Sequence, residues 1–237
     1  MSYPYDFGPH PAGGLRLALG GGEIVCRPAG ALWLEAARAL IVADLHLEKG
    51  SAFAARGQLL PPYDTRETLT RLEAEVAALA PEVLVFLGDS FHDGQGEARL
   101  AAEDTARLAA LASGRTLIWV VGNHDADGPR ALPGEVVASL TLLGLTLVHE
   151  PAPGAAAGEV AGHLHPCARV KGRAGSVRRR WFVTDGERLI LPAFGAYAGG
   201  LNIRDPAFAP LLSRAPLAAV LGVGRVHAVG WEALRGD

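Results

Sequence analysis

Ala39-Leu40-Ile41-Val42-Ala43-Asp44-Leu45-His46 is an unbroken apolar run that ends on a carboxylate and an imidazole. Five apolar residues with no polar interruption read as a strand buried on both faces, and such strands belong to sheets covered by other layers. The pattern recurs twice downstream. Val83–Leu87 ends at Gly88-Asp89, and Thr116–Val121 runs into Gly122-Asn123-His124-Asp125. Between the first two runs, Leu69, Leu72, Val76 and Leu79 recur at helical spacing from Thr65 to Leu79, and Pro81 closes the segment. Leu100–Leu111 reads as a second helix before the third run. Each strand delivers a polar cluster at its carboxyl end, the α/β arrangement in which ligands gather beyond the strand ends.

Outward from this unit the pattern changes. Residues 1–14 are rich in Pro and Gly and read as an irregular arm. Leu15–Leu19, Glu23–Arg27 and Ala31–Glu35 are strand-like runs separated by Gly- or Pro-bearing turns. Beyond residue 140 the helical signal fades into short strands at Leu145–Val148, Val160–Gly162, Arg180–Thr184, Arg188–Pro192 and Arg225–Val229. An α/β first half and a β-rich second half predict two packed mixed sheets flanked by helices, in a single domain over residues 1–237.

The bulk numbers narrow the class. A chain of 237 residues buries about three quarters of its extended surface, and 49% hydrophobic with 20% charged residues is an ordinary globular balance. No apolar stretch approaches the roughly 20 residues of a membrane helix, and the N-terminus has no basic region leading into an apolar core. Cys26 and Cys167 read as two free thiols of a cytoplasmic enzyme. The net charge of −3 does not advertise a nucleic-acid binder. Its distribution says more: Arg169, Lys171, Arg173, Arg178, Arg179 and Arg180 crowd together after the last histidine pair. They read either as a solvated hairpin or as a patch that attracts phosphate.

The polar clusters carry metal chemistry. His149 and Gly162-His163-Leu164-His165 complete a set of five begun by the three strand ends. Side chains at i and i+2 of an extended chain share a face, so Asp44 and His46 can grip one ion while Leu45 turns away. His163 and His165 can reach two neighbouring ions. Gly88 lets the chain turn sharply into Asp89, whose two oxygens can bridge ions about 3.5–4 Å apart. Asn123 adds an uncharged oxygen, which keeps the site open to phosphate. Oxygen and nitrogen ligands without thiolate suit Mn²⁺, Fe or Zn²⁺ better than Mg²⁺ or Ca²⁺. Asp-X-His and Gly-Asp are common singly; the conjunction, in order and at strand ends, is not.

Over about residues 40–165 the five clusters resemble those of the calcineurin-like metallophosphoesterases. Asp44-Leu45-His46-Leu47-Glu48-Lys49-Gly50, Gly88-Asp89-Ser90-Phe91-His92-Asp93, His149-Glu150-Pro151, Gly162-His163-Leu164-His165-Pro166 and Pro192-Ala193-Phe194-Gly195 are similar to the bacterial DNA ligase-associated phosphoesterase subgroup. The resemblance implies a four-layer α/β/β/α sandwich with two metal ions, Mn²⁺ favoured. It implies that Asp44, His46 and His165 hold one ion, that Asn123, His149 and His163 hold the other, and that Asp89 bridges them. The nucleophile would be a hydroxide between the ions. His124 would protonate the leaving oxygen or steady the phosphate, with Asp125 orienting its ring. The subgroup further implies an endonuclease of DNA repair, working with a DNA ligase and helicase system. His92, Arg178, Arg179 and Arg180 are candidates for substrate binding. Glu48 and Lys49 can pair with each other, or Lys49 can meet an anionic substrate; Asn202 lies in a glycine-rich segment that can approach the site. The competing readings are a small-nucleotide phosphodiesterase or phosphatase, and a scaffold that has lost catalysis. The full ligand set with His124 argues against the scaffold.

Overall fold

The apolar runs become neighbours in one sheet. In the computed structural model, which describes residues 6–154, 157–172, 175–213, 216–222, 224–231 and 234–235, eight strands cross this sheet in chain order. They are β1 (Phe7–Pro9), β2 (Leu15–Leu19), β3 (Gly22–Cys26), β4 (Leu32–Leu34), β5 (Ala39–Ala43), β6 (Val83–Leu87), β7 (Thr116–Val120) and β8 (Glu135–Val137). Pairing is antiparallel from β1 to β5 and parallel from β5 to β8. Parallel neighbours need long crossovers. Helices α1 (Lys49–Ala54) and α2 (Asp64–Leu79) lie between β5 and β6, and α3 (Gly96–Arg99) and α4 (Ala102–Leu111) between β6 and β7. The register pairs Ala43 with Leu87 and Leu87 with Val120, so the three central strands end level and release their polar clusters along one edge.

Alternation along β5 divides the core. Leu40 and Val42 pack with Leu69, Leu72 and Leu108 under the helices. Ile41 and Ala43 turn the other way, to Leu147, Val160, Phe182 and Leu189 of a second sheet. Each large aliphatic or aromatic side chain contributes about 1.5–3 kcal/mol when fully buried, so both faces of the central strands are held.

The second sheet has ten strands. They are β9 (Leu140–Leu142), β10 (Leu145–Val148), β11 (Glu159–Ala161), β12 (Pro166–Gly172), β13 (Gly175–Thr184), β14 (Arg188–Ile190), β15 (Leu201–Asn202), β16 (Leu217–Leu221), β17 (Val226–Gly230) and β18 (Leu234–Arg235). The order is β15-β12-β13-β14-β11-β10-β9; β16 joins β13, β17 joins β16, and β18 joins β12. Trp181, Val183, Ile190 and Ala218 on its outer face pack with Phe208 and Leu211. Those two belong to the 3-10 segment Pro206–Leu211, which forms a thin fourth layer. Pro206 and Pro210 carry no amide donors, which disfavours a longer α-helix there. The α/β sandwich is as expected.

Part of the N-terminal arm differs from its irregular reading. Phe7–Pro9 pairs with Leu15–Leu17 as the edge of the first sheet; residues 1–5 lie outside the described residues. Among the described residues no helix is long and apolar enough to cross a membrane.

Candidate metal centre

The chain leaving β5 does not stay extended. Asp44 has φ 54°, His46 φ 46° and Glu48 φ 64°, so alternate residues adopt the left-handed conformation. This corrects the picture of an extended Asp-X-His ligand pair. The turns serve hydrogen bonding: Asp44 N donates to Gly88 O, His46 N to Asp89 O at 2.9 Å and Leu47 N to Ser90 O at 2.9 Å. The turn after β5 is thereby laced to the turn after β6. Alternation of facing survives, since Leu45 and Leu47 are each 1% exposed and lie in the helix-side core. Asp89, His163 and His165 are left-handed too. This conformation costs a non-glycine residue about 1–2 kcal/mol, and it persists only where the surroundings over-determine it.

Two groups of donors converge. His46 Nε2 lies 3.2 Å from His165 Nε2, and His165 Nε2 lies 3.3 Å from Asp44 Oδ1. His149 Nε2 lies 2.9 Å from Asn123 Oδ1 and 3.1 Å from His163 Nδ1. Asp89 stands between, with Oδ1 3.4 Å from His149 Nε2 and Oδ2 3.8 Å from His46 Nε2. Ligands held at about 2.0–2.2 Å from one ion stand roughly 3.0–3.5 Å apart, so these separations are close to the edges of coordination polyhedra.

The surroundings fit cations. Asp44 and Asp89 are buried, at 0% and 2% exposure, and a buried carboxylate needs compensation. Amides supply part of it: His163 N donates to both oxygens of Asp44, and His124 N to Asp89 Oδ1 at 3.0 Å. Burial, then the facing His165, pushes the His46 pKa far down; burial also lowers His149, against the pull of Asp44. Neutral imidazole is the form that binds metal. Glycines make room for the ligands. A Cβ on Gly88 would meet the His149 ring at 2.0 Å, one on Gly122 would meet Asp89 Oδ1 at 2.2 Å, and one on Gly162 would meet Asp44 Oδ2 at 2.6 Å. Each glycine beside a ligand thus seats a ligand from another cluster. Sequence reasoning gives a role to Gly88 alone, although the recurrence of glycine before ligands is the available signal.

His124 stands beside the first group, where its ring and that of His92 flank His46. Its Nδ1 lies 2.7 Å from His92 O, and a carbonyl can only accept, so Nδ1 carries the hydrogen. Nε2 is then left facing Asp89 Oδ2 at 3.9 Å. Asp125, expected to orient this ring, does something else. Its Oδ2 accepts from Phe91 N at 3.0 Å and its Oδ1 from Gly122 N at 3.2 Å. Those buried amides need an acceptor, and the side chain lies under the loop to provide one. Burial outweighs these hydrogen bonds and raises its pKa to about 6.

His92 lines the same wall, its ring centroid 5.6 Å from that of His124 and 5.9 Å from that of His46. Its Nδ1 is buried without a hydrogen-bond partner. Burial, then the Lys49 ammonium, lowers its pKa. Lys49 donates to Tyr197 O, while Glu48 turns away from it to accept from Thr65 Oγ1 and Ser51 Oγ.

The three candidate arginines separate. They alternate along β13, with Arg178 and Arg179 exposed. Arg178 donates to Gly200 O at 2.6 Å. Arg180 turns inward and commits its guanidinium to the carbonyls of Ala193 and Gly195, which corrects its assignment as a substrate ligand. Arg173 and the side chain of Lys171 lie outside the described residues. Asn202 Oδ1 accepts from Arg204 N, a local turn contact.

Comparisons with known proteins bear on the fold and the family. The chain aligns over 95% of its length with 100% of the chain in a crystal structure of the Pseudomonas putida nuclease MPE, at 27% identity and a TM-score of 0.69. A looser likeness, at 16% identity and a TM-score of 0.40, covers 81% of this chain and 98% of Yfce, a phosphoesterase from E. coli. No curated protein sequence matches. The calcineurin-like phosphoesterase pattern matches residues 37–197. Since that match starts before Asp44 and ends beyond His165, with both donor groups inside it, the chain belongs to the calcineurin-like phosphoesterase family and is a metal-dependent phosphoester hydrolase.

Proposed function

We propose that the protein is a two-metal phosphodiesterase that cleaves DNA, activated by Mn²⁺, acting in cytoplasmic DNA repair beside a DNA ligase and helicase system. The position of Asp89 supports the two-ion reading, since each of its oxygens faces a different donor group. The near-complete alignment with a nuclease supports a nucleic acid as substrate, which this reading takes to be DNA. Cys26 and Cys167 are both buried and form no disulfide among the described residues, which suits a reducing compartment.

In this reading Asp44, His46 and His165 hold one ion, Asn123, His149 and His163 hold the other, and Asp89 is common to both. Two divalent ions, when bound, supply Lewis acidity to a phosphoryl group and activate water at neutral pH. Asn123 contributes an oxygen without adding charge, so it does not repel an incoming phosphodiester. The carbonyl of His92 fixes the His124 ring through Nδ1–H, and the doubly protonated ring gives its Nε2 proton to the leaving oxygen, returning to the neutral Nδ1–H form. The His92 ring lines the wall on which the phosphate rests. Lys49, Arg178 and Arg179 attract the neighbouring phosphates.

The test is Mn²⁺-dependent hydrolysis of supercoiled plasmid, single-stranded DNA and bis-p-nitrophenyl phosphate, side by side, with Zn²⁺, Fe²⁺ and Mg²⁺ as alternatives. DNA cleavage with greatest activity in Mn²⁺ is expected. Hydrolysis of the small diester with no cutting of either DNA would replace the nuclease reading with a small-nucleotide phosphodiesterase.

A further inference from the structure

Arg180 sits on β13 opposite Cys167, two residues beyond His165. Its guanidinium donates to Ala193 O at 2.9 Å, Gly195 O at 2.7 Å and Ala196 O at 3.2 Å, with longer contacts to Phe194 O and Ala198 O. All five acceptors are main-chain carbonyls of one loop. A planar fork of donors can span several carbonyls at once, which a lysine ammonium, a point charge with three donors, does poorly. Burial, then the nearby Arg71 guanidinium, pulls its pKa down to about 10, so it remains charged at neutral pH.

The same loop is tied from the helix side. Arg71 donates to Phe194 O at 2.6 Å and lies over the Phe194 ring, and Ala196 N donates to Thr68 Oγ1 at 2.9 Å. What the loop touches next is the turn that carries Asp44 and His46. Phe194 N donates to Ala43 O at 2.7 Å and Gly195 N to Asp44 O at 3.1 Å. Gly195 lies so close to this turn that a Cβ on it would stand 2.0 Å from Leu45 O. The turn is therefore clamped between residues 88–90 on one side and residues 194–195 on the other. Two left-handed ligand residues persist there because both sides hold them.

We infer that Arg180 is a positioning residue for the Asp44–His46–His165 ion: it fixes the loop at residues 193–198, and that loop sets the ligand turn. Asn123 and His149 make no hydrogen bond to this loop, and His163 meets it only through the Asp44 carboxylate to which its amide donates, so the two ions differ in their dependence on Arg180. The inference rests on the two-ion reading of the site and is independent of the substrate.

Mn²⁺ titration by calorimetry and electron paramagnetic resonance, without substrate, tests it in the wild type, Arg180→Met and Arg180→Lys. Asn123→Ala marks which binding step belongs to the other ion. Removing a group that supports a ligand typically costs about 10–100-fold in metal affinity, so Arg180→Met should weaken one step by about that factor and leave the Asn123-dependent step in place. Arg180→Lys should fall between the two. Saturating Mn²⁺ should restore kcat on bis-p-nitrophenyl phosphate, with KM unchanged. Equal weakening of both steps, or unaltered metal binding with a raised KM for DNA, would overturn the inference. Should Arg180→Met not fold, Arg71→Met loosens the same loop from α2 and should show a smaller loss at the same step; no loss there would also overturn it. A wild type that binds a single ion would instead reject the two-ion reading.

Discussion

Asp89 illustrates how much one residue carries. Its carboxylate is the contact shared by the two donor groups, and it also accepts the His124 amide. Asp89→Asn keeps the shape, removes a charge and replaces one oxygen with an amide nitrogen that cannot bind a cation. Metal affinity should fall by at least ~10²-fold, beyond the usual cost of losing a supporting group, and turnover should fall with it. Metal analysis of the folded variant checks this; two tightly held ions with full activity would contradict the bridging role. His124 makes the opposite prediction. It flanks the groups without completing either, so His124→Ala should leave metal content intact. General acid catalysis contributes about 10²–10⁴-fold, so kcat should drop on this scale for esters with poor leaving groups and much less for p-nitrophenyl esters. Loss of metal, with both kinds of ester affected alike, would make His124 a ligand.

Between elements, the site depends on turns tied to turns, and Asp125 is the clearest knot. It joins the turn after β6 to the turn after β7 by accepting from Phe91 N and Gly122 N. Asp125→Ala strands two buried amides at about 1–3 kcal/mol each, and in a chain of this size each kcal/mol shifts Tm by about 2–4 °C. The metal-free variant should therefore melt roughly 4–24 °C lower, as calorimetry would show. An unchanged Tm with a reduced kcat would instead restore Asp125 as the partner of the His124 ring. This knot marks the limit of what sequence can convey. Ala39–Ala43, Val83–Leu87 and the helix ending at Leu79 are legible because burial on one or two faces writes itself into local spacing. Ligand identities are legible because few residue types bind metals. Left-handed Asp44, His46, His163 and His165 are not, since tertiary hydrogen bonds impose a conformation that local preference opposes. The strand Leu217–Leu221 is equally hidden, as its Ala-rich run alternates nothing and is mostly buried. Arg180 misleads because the two arginines before it are exposed, whereas its acceptors lie 13–18 residues away.

For the whole molecule the nuclease reading raises the question of how a chain with net charge −3 would hold a polyanion. Attraction would have to be local, and on the proposed reading Arg178 and Arg179, exposed on β13, would supply it outside the donor groups. Arg180 stays out of this set because its guanidinium is committed to the 193–198 loop. Arg178→Ser with Arg179→Ser should raise KM for DNA while sparing bis-p-nitrophenyl phosphate, which is too small to reach the rim. For every phosphate that the double variant no longer neutralises, the dependence of log KM on log salt should flatten by about 0.7–0.9. Because screening acts over about 10 Å at 0.1 M salt, the wild-type advantage should shrink as salt rises. Steady-state kinetics on single-stranded and plasmid DNA across a salt series measures both effects. A double variant with unchanged KM and unchanged salt slope would mean that this end of β13 is only a solvated hairpin. DNA would then have to be gripped from the other wall, where Lys49 lies on the Tyr197 carbonyl beside His92. Lys49→Gln would in that case be the variant that raises KM.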